Sequence, residues 1–319
     1  MEKKARVLFV DDEERVVNLL RTMFRGTYEV FTAHCGAEAL EIAAAHAPID
    51  VIVSDQRMPG MPGIELLAEM RQRSPATMRI LLTGYSDLAA IVGSVNEGEV
   101  FRFINKPWDH DEIKRIIAEA ADAASATAAL AVAPLQATES LEQMPAASAL
   151  PGVLLIDDDP NDRRAILESI GSRFKVHNAP DIASALNVLE NHDIGVIISE
   201  AQVGGKDVGE LLRVLKRHHP MVTTVMLTTV ADSDLVIKLI NGAQIFRFGT
   251  KPIRGSSLRL AVSAAMRENT RMRANPVLAQ RHRVEELPGE TEHATLVSSV
   301  MSSLTRMRAK FGRIIGLVH

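Results

Sequence analysis

Val7–Asp12, VLFVDD, is the stretch that decides the fold of this chain. A short apolar run that ends in carboxylates is typical of a buried parallel strand whose polar end lies at one edge of a sheet. The pattern returns as LLIDD at Leu154–Asp158, about 145 positions later in a chain of 319 residues. Because this spacing leaves room for a whole domain in each period, it indicates two copies of one fold.

Three further matches keep the same order and nearly the same spacing as the first. The paired segments are VIVSD and VIISE (51–55, 196–200), ILLT and VMLT (80–83, 225–228), and FRFINKP and FRFGTKP (101–107, 246–252). Together the matches predict copy one over 1–125, an Ala- and Pro-rich linker over 126–150, copy two over 151–272, and a basic tail over 273–319.

Each copy alternates short β-branched runs with longer amphipathic segments. In copy one we predict strands near 6–10, 28–33, 50–54, 79–83 and 100–104, and helices near 13–24, 36–46, 63–73, 86–97 and 109–126. In copy two the predicted strands lie near 153–156, 174–178, 194–199, 222–228 and 245–249. Apolar strands alternating with helices predict an α/β fold: two flavodoxin-like, doubly wound parallel sheets, each five-stranded in the order 2-1-3-4-5, followed by a C-terminal helical tail.

The composition excludes several classes of protein. No apolar run reaches the ~18 residues of a membrane span, and the charged N-terminus leads into a strand without a signal-peptide core. The single cysteine, Cys35, can form neither an internal disulfide nor a thiolate zinc site. A net charge of -4 gives no general affinity for nucleic acid. We therefore expect a cytoplasmic protein with no transmembrane segment.

Polar side chains follow the predicted strands of copy one where each strand ends. Asp11 and Asp12 follow the first strand, Asp55 ends the third, Thr83 ends the fourth, and Lys106 follows the fifth. Taken singly, such residues have ordinary structural roles, such as a helix cap for Asp or a core position for Thr. In an open parallel sheet, however, these strand ends converge on the edge where ligands bind. Clustered carboxylates beside one lysine favour Mg²⁺ and a carboxylate that attacks a phosphoryl group.

These residues resemble the receiver domain of bacterial two-component response regulators, and the resemblance extends over both copies. The runs DQRMPG (55–60) and LTGY (82–85) are most similar to receivers attached to cyclic di-GMP phosphodiesterases and hydrogenase regulators. The resemblance implies that Asp12, Asp55 and the Arg57 carbonyl hold Mg²⁺, with Asp11 acting directly or through water.

The resemblance also implies how copy one reacts with a phosphoryl group. Asp55 is the phosphoacceptor, Thr83 contacts the phosphate, and Lys106 pairs with the phosphoryl oxygens. Phe103 occupies the position of the switch aromatic, which moves together with Thr83. The resemblance further implies a cis peptide bond between Lys106 and Pro107, which is consistent with the rarity of cis bonds outside proline.

Copy two keeps most of these residues but departs at the acceptor position. The retained residues are Asp157, Asp158, Thr228, Phe248 and Lys251. Glu200 stands where copy one has Asp55, and its longer side chain extends towards the place of a phosphoryl group. The resemblance therefore implies a degenerate second site and a pseudo-receiver that docks or dimerises; a purely structural domain is the alternative.

The resemblance implies a response regulator rather than an enzyme. Its partners would be a sensor histidine kinase or a histidine phosphotransfer protein, and a downstream effector protein bound by phosphorylation-dependent association; a homodimer is a further candidate. No DNA-binding output domain is recognisable, so no direct DNA binding is expected. Two alternatives stay open: a haloacid-dehalogenase-like Mg²⁺-dependent phosphatase, whose D-x-D motif residues 157–159 would satisfy, and a phosphate sink without its own output.

The tail contains a predicted basic amphipathic helix over 295–318, with apolar residues at helical spacing and only basic charges between them. We expect it to pack on its own receiver or on a twin subunit, or else to bind a partner groove or an acidic membrane surface.

Overall fold

A computed structural model describes the protein over residues 4–84, 100–128, 150–229, 233–252, 254–276 and 278–279. The chain divides into two compact units, and each contains a five-stranded parallel sheet covered by helices. The helix predicted over 86–97, the tail helix predicted over 295–318 and most of the predicted linker lie outside the described residues. Within the described ranges, no helix has the length and apolar character needed to cross a membrane.

Copy one forms the predicted α/β unit. Its elements, in chain order, are β1 (Arg6–Val10), α1 (Glu14–Phe24), β2 (Glu29–Ala33), α2 (Gly36–Ala45), β3 (Val51–Asp55), α3 (Gly63–Arg73), β4 (Met78–Thr83), β5 (Arg102–Asn105) and α4 (His110–Ala128). The strands lie in the order β2-β1-β3-β4-β5, and every neighbouring pair is parallel. This confirms the predicted topology, in which the strand order reverses between β1 and β3.

The apolar runs form the central strands because both faces of this sheet are covered. All residues of β3 and β4 are buried, whereas β2, at the edge, begins with the exposed Glu29. Helix α1 directs Val17, Leu20 and Phe24 into the core, where the ring of Phe24 stacks on that of Phe9 with centroids 5.3 Å apart. The packed sheet therefore gives a firm support to the polar side chains at its carboxyl edge.

Copy two repeats this topology. Its elements are β6 (Gly152–Ile156), α5 (Pro160–Ile170), β7 (Val176–Ala179), α6 (Ile182–Asn191), β8 (Ile194–Ser199), β9 (Gln202–Val203), β10 (Lys206–Asp207), α7 (Gly209–His218), β11 (Thr223–Thr228), α8 (Ser233–Ala243), β12 (Arg247–Thr250) and α9 (Gly255–Ala274). The parallel sheet has the order β12-β11-β8-β6-β7, which is the order of copy one read from the other edge. Strands β9 and β10 form a separate antiparallel hairpin, which the sequence pattern did not predict.

Some bounds differ from the predicted ones. Strand β7 begins at Val176, later than predicted, because the N–H of Phe174 donates to the carbonyl of Ile170 at 3.1 Å and so belongs to the turn after α5. Helices α4 and α9 end at Ala128 and Ala274, slightly beyond the predicted ends of copy one and copy two. The division of the chain into domains, linker and tail stays a prediction.

A buried lysine in α7 makes the stability of copy two depend on pH. Lys216 is 3% exposed, and its ammonium donates to the carbonyl oxygens of Pro220 and Val222, each at 2.8 Å. Burial lowers the pKa of Lys216 to about 7, and the charge of Glu268 only partly opposes this. The unfolded chain keeps this proton up to about pH 10, so the free energy of unfolding should rise with pH above about 7, by up to ~1.4 kcal/mol per pH unit.

We expect Lys216→Met to remove this part of the pH dependence. Calorimetric unfolding of the full chain between about pH 7 and pH 9 should show a steeper rise in stability for the wild type than for the variant. Lys238→Met, which changes an exposed lysine of α8, is the matched control and should keep the wild-type slope. Equal slopes for wild type and Lys216→Met would contradict the assignment.

Candidate functional site

Two buried carboxylates and one lysine lie together at the carboxyl edge of the sheet in copy one. Asp11, which follows β1, is fully buried, and Asp55, the last residue of β3, is 6% exposed. The Lys106 ammonium, which follows β5, lies 2.7 Å from Asp11 Oδ2 and 2.6 Å from Asp55 Oδ1. The structure therefore brings together three of the predicted site residues from three different strands.

Backbone amides hold the second oxygen of each carboxylate. Asp11 Oδ1 accepts a hydrogen bond from the N–H of Glu13 at 2.9 Å, and Asp55 Oδ2 accepts one from the N–H of Arg57 at 2.8 Å. In each carboxylate, one oxygen thus accepts a hydrogen bond from a backbone N–H, and the other pairs with the Lys106 ammonium. The role predicted for the carbonyl oxygen of Arg57, as a metal ligand, stays a prediction.

The lysine itself is positioned by the strand beside it. The N–H of Lys106 donates to the carbonyl of Thr83 at 2.8 Å, and the Lys106–Pro107 peptide is cis, as the resemblance implies. Burial alone would lower the pKa of the Lys106 ammonium, but hydrogen bonds to Asp11 and Asp55 outweigh it, and the pKa is raised. The lysine is therefore a fixed positive charge against the two carboxylates.

The other predicted site residues of copy one lie at this edge outside the ion pairs. Thr83 is fully buried at the end of β4, and its hydroxyl donates to the carbonyl of Gly84 at 3.3 Å. Phe103 is fully buried in β5, in register with Leu81 of β4. Asp12 is exposed, and its carboxylate accepts no hydrogen bond from any residue that the structure describes. The Asp12 carboxylate is therefore open to solvent at the carboxyl edge of the sheet.

The oxygen donors of copy one fit a hard divalent cation. Mg²⁺ is held in proteins by one or two carboxylates together with water molecules, and Asp12 and Asp55 supply two carboxylates at one edge. In the part of the chain that the structure describes, no three carboxylate, imidazole or thiolate groups are gathered into a metal cage. The donor set therefore suits Mg²⁺ with backbone and water ligands rather than a cation enclosed by side chains.

The corresponding lysine of copy two has more ionic partners. Lys251 Nζ lies 2.6 Å from Asp157 Oδ2, 2.8 Å from Asp162 Oδ2 and 2.8 Å from Glu200 Oε2. Its side chain is 9% exposed, against 27% for that of Lys106. Burial alone would lower the pKa of Lys251, but its hydrogen bonds to the three carboxylates outweigh burial, and the pKa is raised.

The remaining residues of the second edge are also engaged or buried. The N–H of Lys251 donates to the carbonyl of Thr228 at 2.9 Å, as in copy one, and Thr228 and Phe248 are 1% and 3% exposed. Asp158 Oδ2 accepts a hydrogen bond from the N–H of Gly204, in the turn of the β9–β10 hairpin, at 2.9 Å. The two copies thus share their backbone geometry and differ in what contacts their carboxylates.

The family of the chain follows from comparison with known proteins. The sequence profile described as "Response regulator receiver domain" matches residues 7–118 and 153–263, one match in each copy. The chain belongs to this receiver domain family. Both receivers contain the acidic strand end, the threonine and the lysine described above, and receivers of the family generally bind Mg²⁺ at their phosphorylation site.

The similar proteins are response regulators and receiver structures. The hydrogenase transcriptional regulatory protein HoxA of Cupriavidus necator is 38% identical over 122 residues, which is 38% of this chain and 25% of HoxA. The regulatory protein AtoC of Escherichia coli is 39% identical over 118 residues, 36% of this chain and 25% of AtoC. The signal receiver domain of an HD domain-containing protein from Pseudomonas fluorescens Pf-5 is 33% identical, with a TM-score of 0.37, and the match covers 39% of this chain and 98% of that domain. The chain spans about a quarter of the length of the curated relatives it matches.

Sequence reasoning missed two residues that shape these sites. A Cβ on Gly63 would lie 2.1 Å from the carbonyl oxygen of Asp55, so glycine at the start of α3 lets this helix approach the end of β3 closely. Asp162, in the first turn of α5, pairs with Lys251. The acidic run DDDPND at 157–162 is the only sequence signal for Asp162, and it does not indicate the direction of the side chain.

Proposed function

We propose that the chain is a two-component response regulator that accepts one phosphoryl group on Asp55 and signals through a change in protein association. The observation that carries this proposal is the buried pair of Asp11 and Asp55 bridged by Lys106 at 2.7 and 2.6 Å. A carboxylate at the strand end beside a fixed ammonium is suited to attack a phosphorus atom. Membership of the receiver family supports the same role.

The donor in this proposal is the phosphohistidine of a sensor kinase or a histidine phosphotransfer protein. An Asp55 oxygen attacks the phosphorus, and the bond from phosphorus to the imidazole nitrogen breaks with its electron pair staying on that nitrogen. The imidazole ring of the phosphohistidine, protonated from solvent on its other nitrogen before transfer, leaves as neutral imidazole. Asp12, Asp55 and the Arg57 carbonyl would hold Mg²⁺, which offsets the negative charge on the phosphoryl oxygens. Lys106 provides a second positive charge to these oxygens, and the Thr83 hydroxyl donates a hydrogen bond to one of them.

The response in this proposal is a repacking of the unit around Thr83 and Phe103. Phosphorylation adds about -1.5 to -2 charges beside Lys106 and draws the lysine and the threonine towards the phosphate. Movement of Thr83 leaves space that Phe103 can fill, and this changes the surface formed by β5 and α4. The downstream partner, whether an effector protein or a second copy of the chain, would bind one of the two surfaces better than the other.

We expect Asp12→Ala to weaken Mg²⁺ binding to the full chain. The variant removes a direct ligand, and since even outer-shell changes cost 10–100-fold in metal affinity, the loss should be at least about tenfold. Isothermal titration with Mg²⁺ measures it, and Asp111→Ala, which removes a carboxylate whose side chain is 95% exposed, is the control. Equal affinities for wild type and Asp12→Ala would assign the acidic pair another role.

Association is tested by sedimentation velocity of the full chain with and without acetyl phosphate and Mg²⁺. We expect the sedimentation coefficient or the partner affinity to change on phosphorylation in the wild type. Lys106→Ala should lose the change, because nothing then couples the phosphoryl oxygens to β5. Lys4→Ala, which removes an exposed lysine that precedes β1 and lies outside this surface, should behave as the wild type does. Identical sedimentation and partner binding in both states of the wild type would leave copy one as a phosphate sink.

A further inference from the structure

Lys251 is surrounded by carboxylates of its own unit. Its ammonium lies within 2.8 Å of an oxygen of each of three acidic side chains: Asp157, Asp162 and Glu200. The second oxygen of Glu200 accepts the N–H of Ala201 at 2.9 Å, and that of Asp157 accepts the N–H of Asp159 at 2.9 Å. Each oxygen of Asp157 and Glu200 is therefore engaged by a donor of the chain, as in the buried pair of copy one, and copy two adds the carboxylate of Asp162 as a third partner of its lysine.

The β9–β10 hairpin donates a hydrogen bond to the remaining acidic residue of the strand end, Asp158. Gly204 and Gly205 form its turn with φ of +59° and +72°, a region that glycine adopts without strain. This turn brings the N–H of Gly204 to Asp158 Oδ2 at 2.9 Å. In copy one the equivalent carboxylate, Asp12, accepts no hydrogen bond from a described residue. The hairpin thus supplies a donor where copy one leaves an open ligand.

We infer that copy two is closed by its own side chains, so that it binds neither Mg²⁺ nor a phosphoryl group and keeps one arrangement while copy one switches. The cluster is still negative overall, but a cation held between Glu200 and Asp158 would have to displace the ammonium of Lys251 from Glu200 and compete with the amide of Gly204 for Asp158 Oδ2, whereas the Asp12 carboxylate of copy one accepts no hydrogen bond from a described residue. The residues of copy two therefore do not fit the metal that those of copy one fit. This inference goes beyond the proposed function and does not depend on phosphorylation of Asp55.

The closed arrangement of copy two gives this unit a role that does not vary with phosphorylation. The carboxylate of Glu200 pairs with Lys251 without any phosphoryl donor, because the glutamate side chain is one methylene longer than that of Asp55. The interaction between acceptor position and lysine, which is variable in a switching receiver, is then permanent. Copy two thus keeps a constant arrangement at this edge, and the dependence on phosphodonor and Mg²⁺ is confined to copy one.

Hydrogen exchange of the full chain, followed by mass spectrometry, tests the inference. The probes are Mg²⁺ alone and Mg²⁺ with beryllofluoride, which mimics a phosphoryl group on a carboxylate. We expect both to slow exchange in segments 11–14 and 55–59 of copy one and to leave segments 157–162 and 200–207 of copy two unchanged. A change of exchange in either segment of copy two would overturn the inference. Unchanged exchange in the two segments of copy one would instead count against the proposed function.

A variant tests what keeps the hairpin closed. Lys251→Met should speed exchange in segment 200–207 by about tenfold or more, because the ion pairs that hold Glu200 are lost. Strand β6 should stay protected; if it does not, Glu200→Gln, which keeps the shape of the side chain, replaces Lys251→Met with the same expectation. Lys175→Met, at an exposed lysine of the same unit, is the control. Unchanged exchange of the hairpin in a variant with a protected β6 would contradict closure by Lys251.

Discussion

Asp55→Asn is expected to take up no phosphoryl group from acetyl phosphate and Mg²⁺. The amide has the shape of the carboxylate and can still accept the N–H of Arg57, but it is not a nucleophile and does not form the ion pair with Lys106. Labelling with radioactive donor, followed by gel separation of the full chain, measures the loss. Asp111→Asn, at an exposed position of α4, is the matched control and should label as the wild type does. Persistent labelling of Asp55→Asn would place the acceptor elsewhere.

Glu119→Ala is expected to destabilise copy one by about 3–5 kcal/mol, because it removes the carboxylate that pairs with the buried guanidinium of Arg102 and also with Arg115. Arg102, in β5, has a side chain that is 3% exposed, and its Nη2 lies 3.2 Å from Glu119 Oε2 in α4. Burial lowers the pKa of Arg102 to about 10, and the charge of Glu119 opposes this. The pair therefore joins β5 to α4 in the part of copy one that the proposed switch would repack.

Urea unfolding followed by the fluorescence of the single tryptophan, Trp108, reports this loss for copy one. The matched control is Glu69→Ala, which breaks an ion pair with Arg73 at 3.1 Å in which both side chains are largely exposed. Exposed pairs of this kind contribute about 0–1 kcal/mol, so the control should shift the midpoint little. Equal shifts for Glu119→Ala and Glu69→Ala would mean that burial of Arg102 adds nothing to the pair.

The topology could be predicted because each strand has a local signal. The runs at Val7–Val10 and Val51–Val53 are apolar throughout, and such runs form central strands covered on both faces. The residues that follow these runs could therefore be assigned to one edge before any distance was known. The ion pairs of Lys106 with Asp11 and Asp55 are what this placement predicts.

The β9–β10 hairpin and the ion pairs of Asp162 and Glu119 could not be predicted, because they depend on turn geometry and on side-chain direction. The turn at Gly204 and Gly205 carries the two-glycine signal of a tight hairpin, yet its flanking strands are too short to give a periodic pattern. Asp162 lies in a helix, where the sequence gives the turn but not the tilt that brings the side chain to Lys251. The pairing of Arg102 with Glu119 joins residues from different elements, and no local pattern predicts which helix covers a strand.

We propose that the chain contains one receiver that reacts with a phosphodonor and one that does not. The most direct test is to count phosphoryl groups on the wild-type full chain by intact-mass spectrometry after treatment with acetyl phosphate and Mg²⁺, with peptide mapping of the site. The account predicts one group per chain at saturation, in the peptide that contains Asp55. Two groups per chain, or one group in the peptide that contains Glu200, would contradict it.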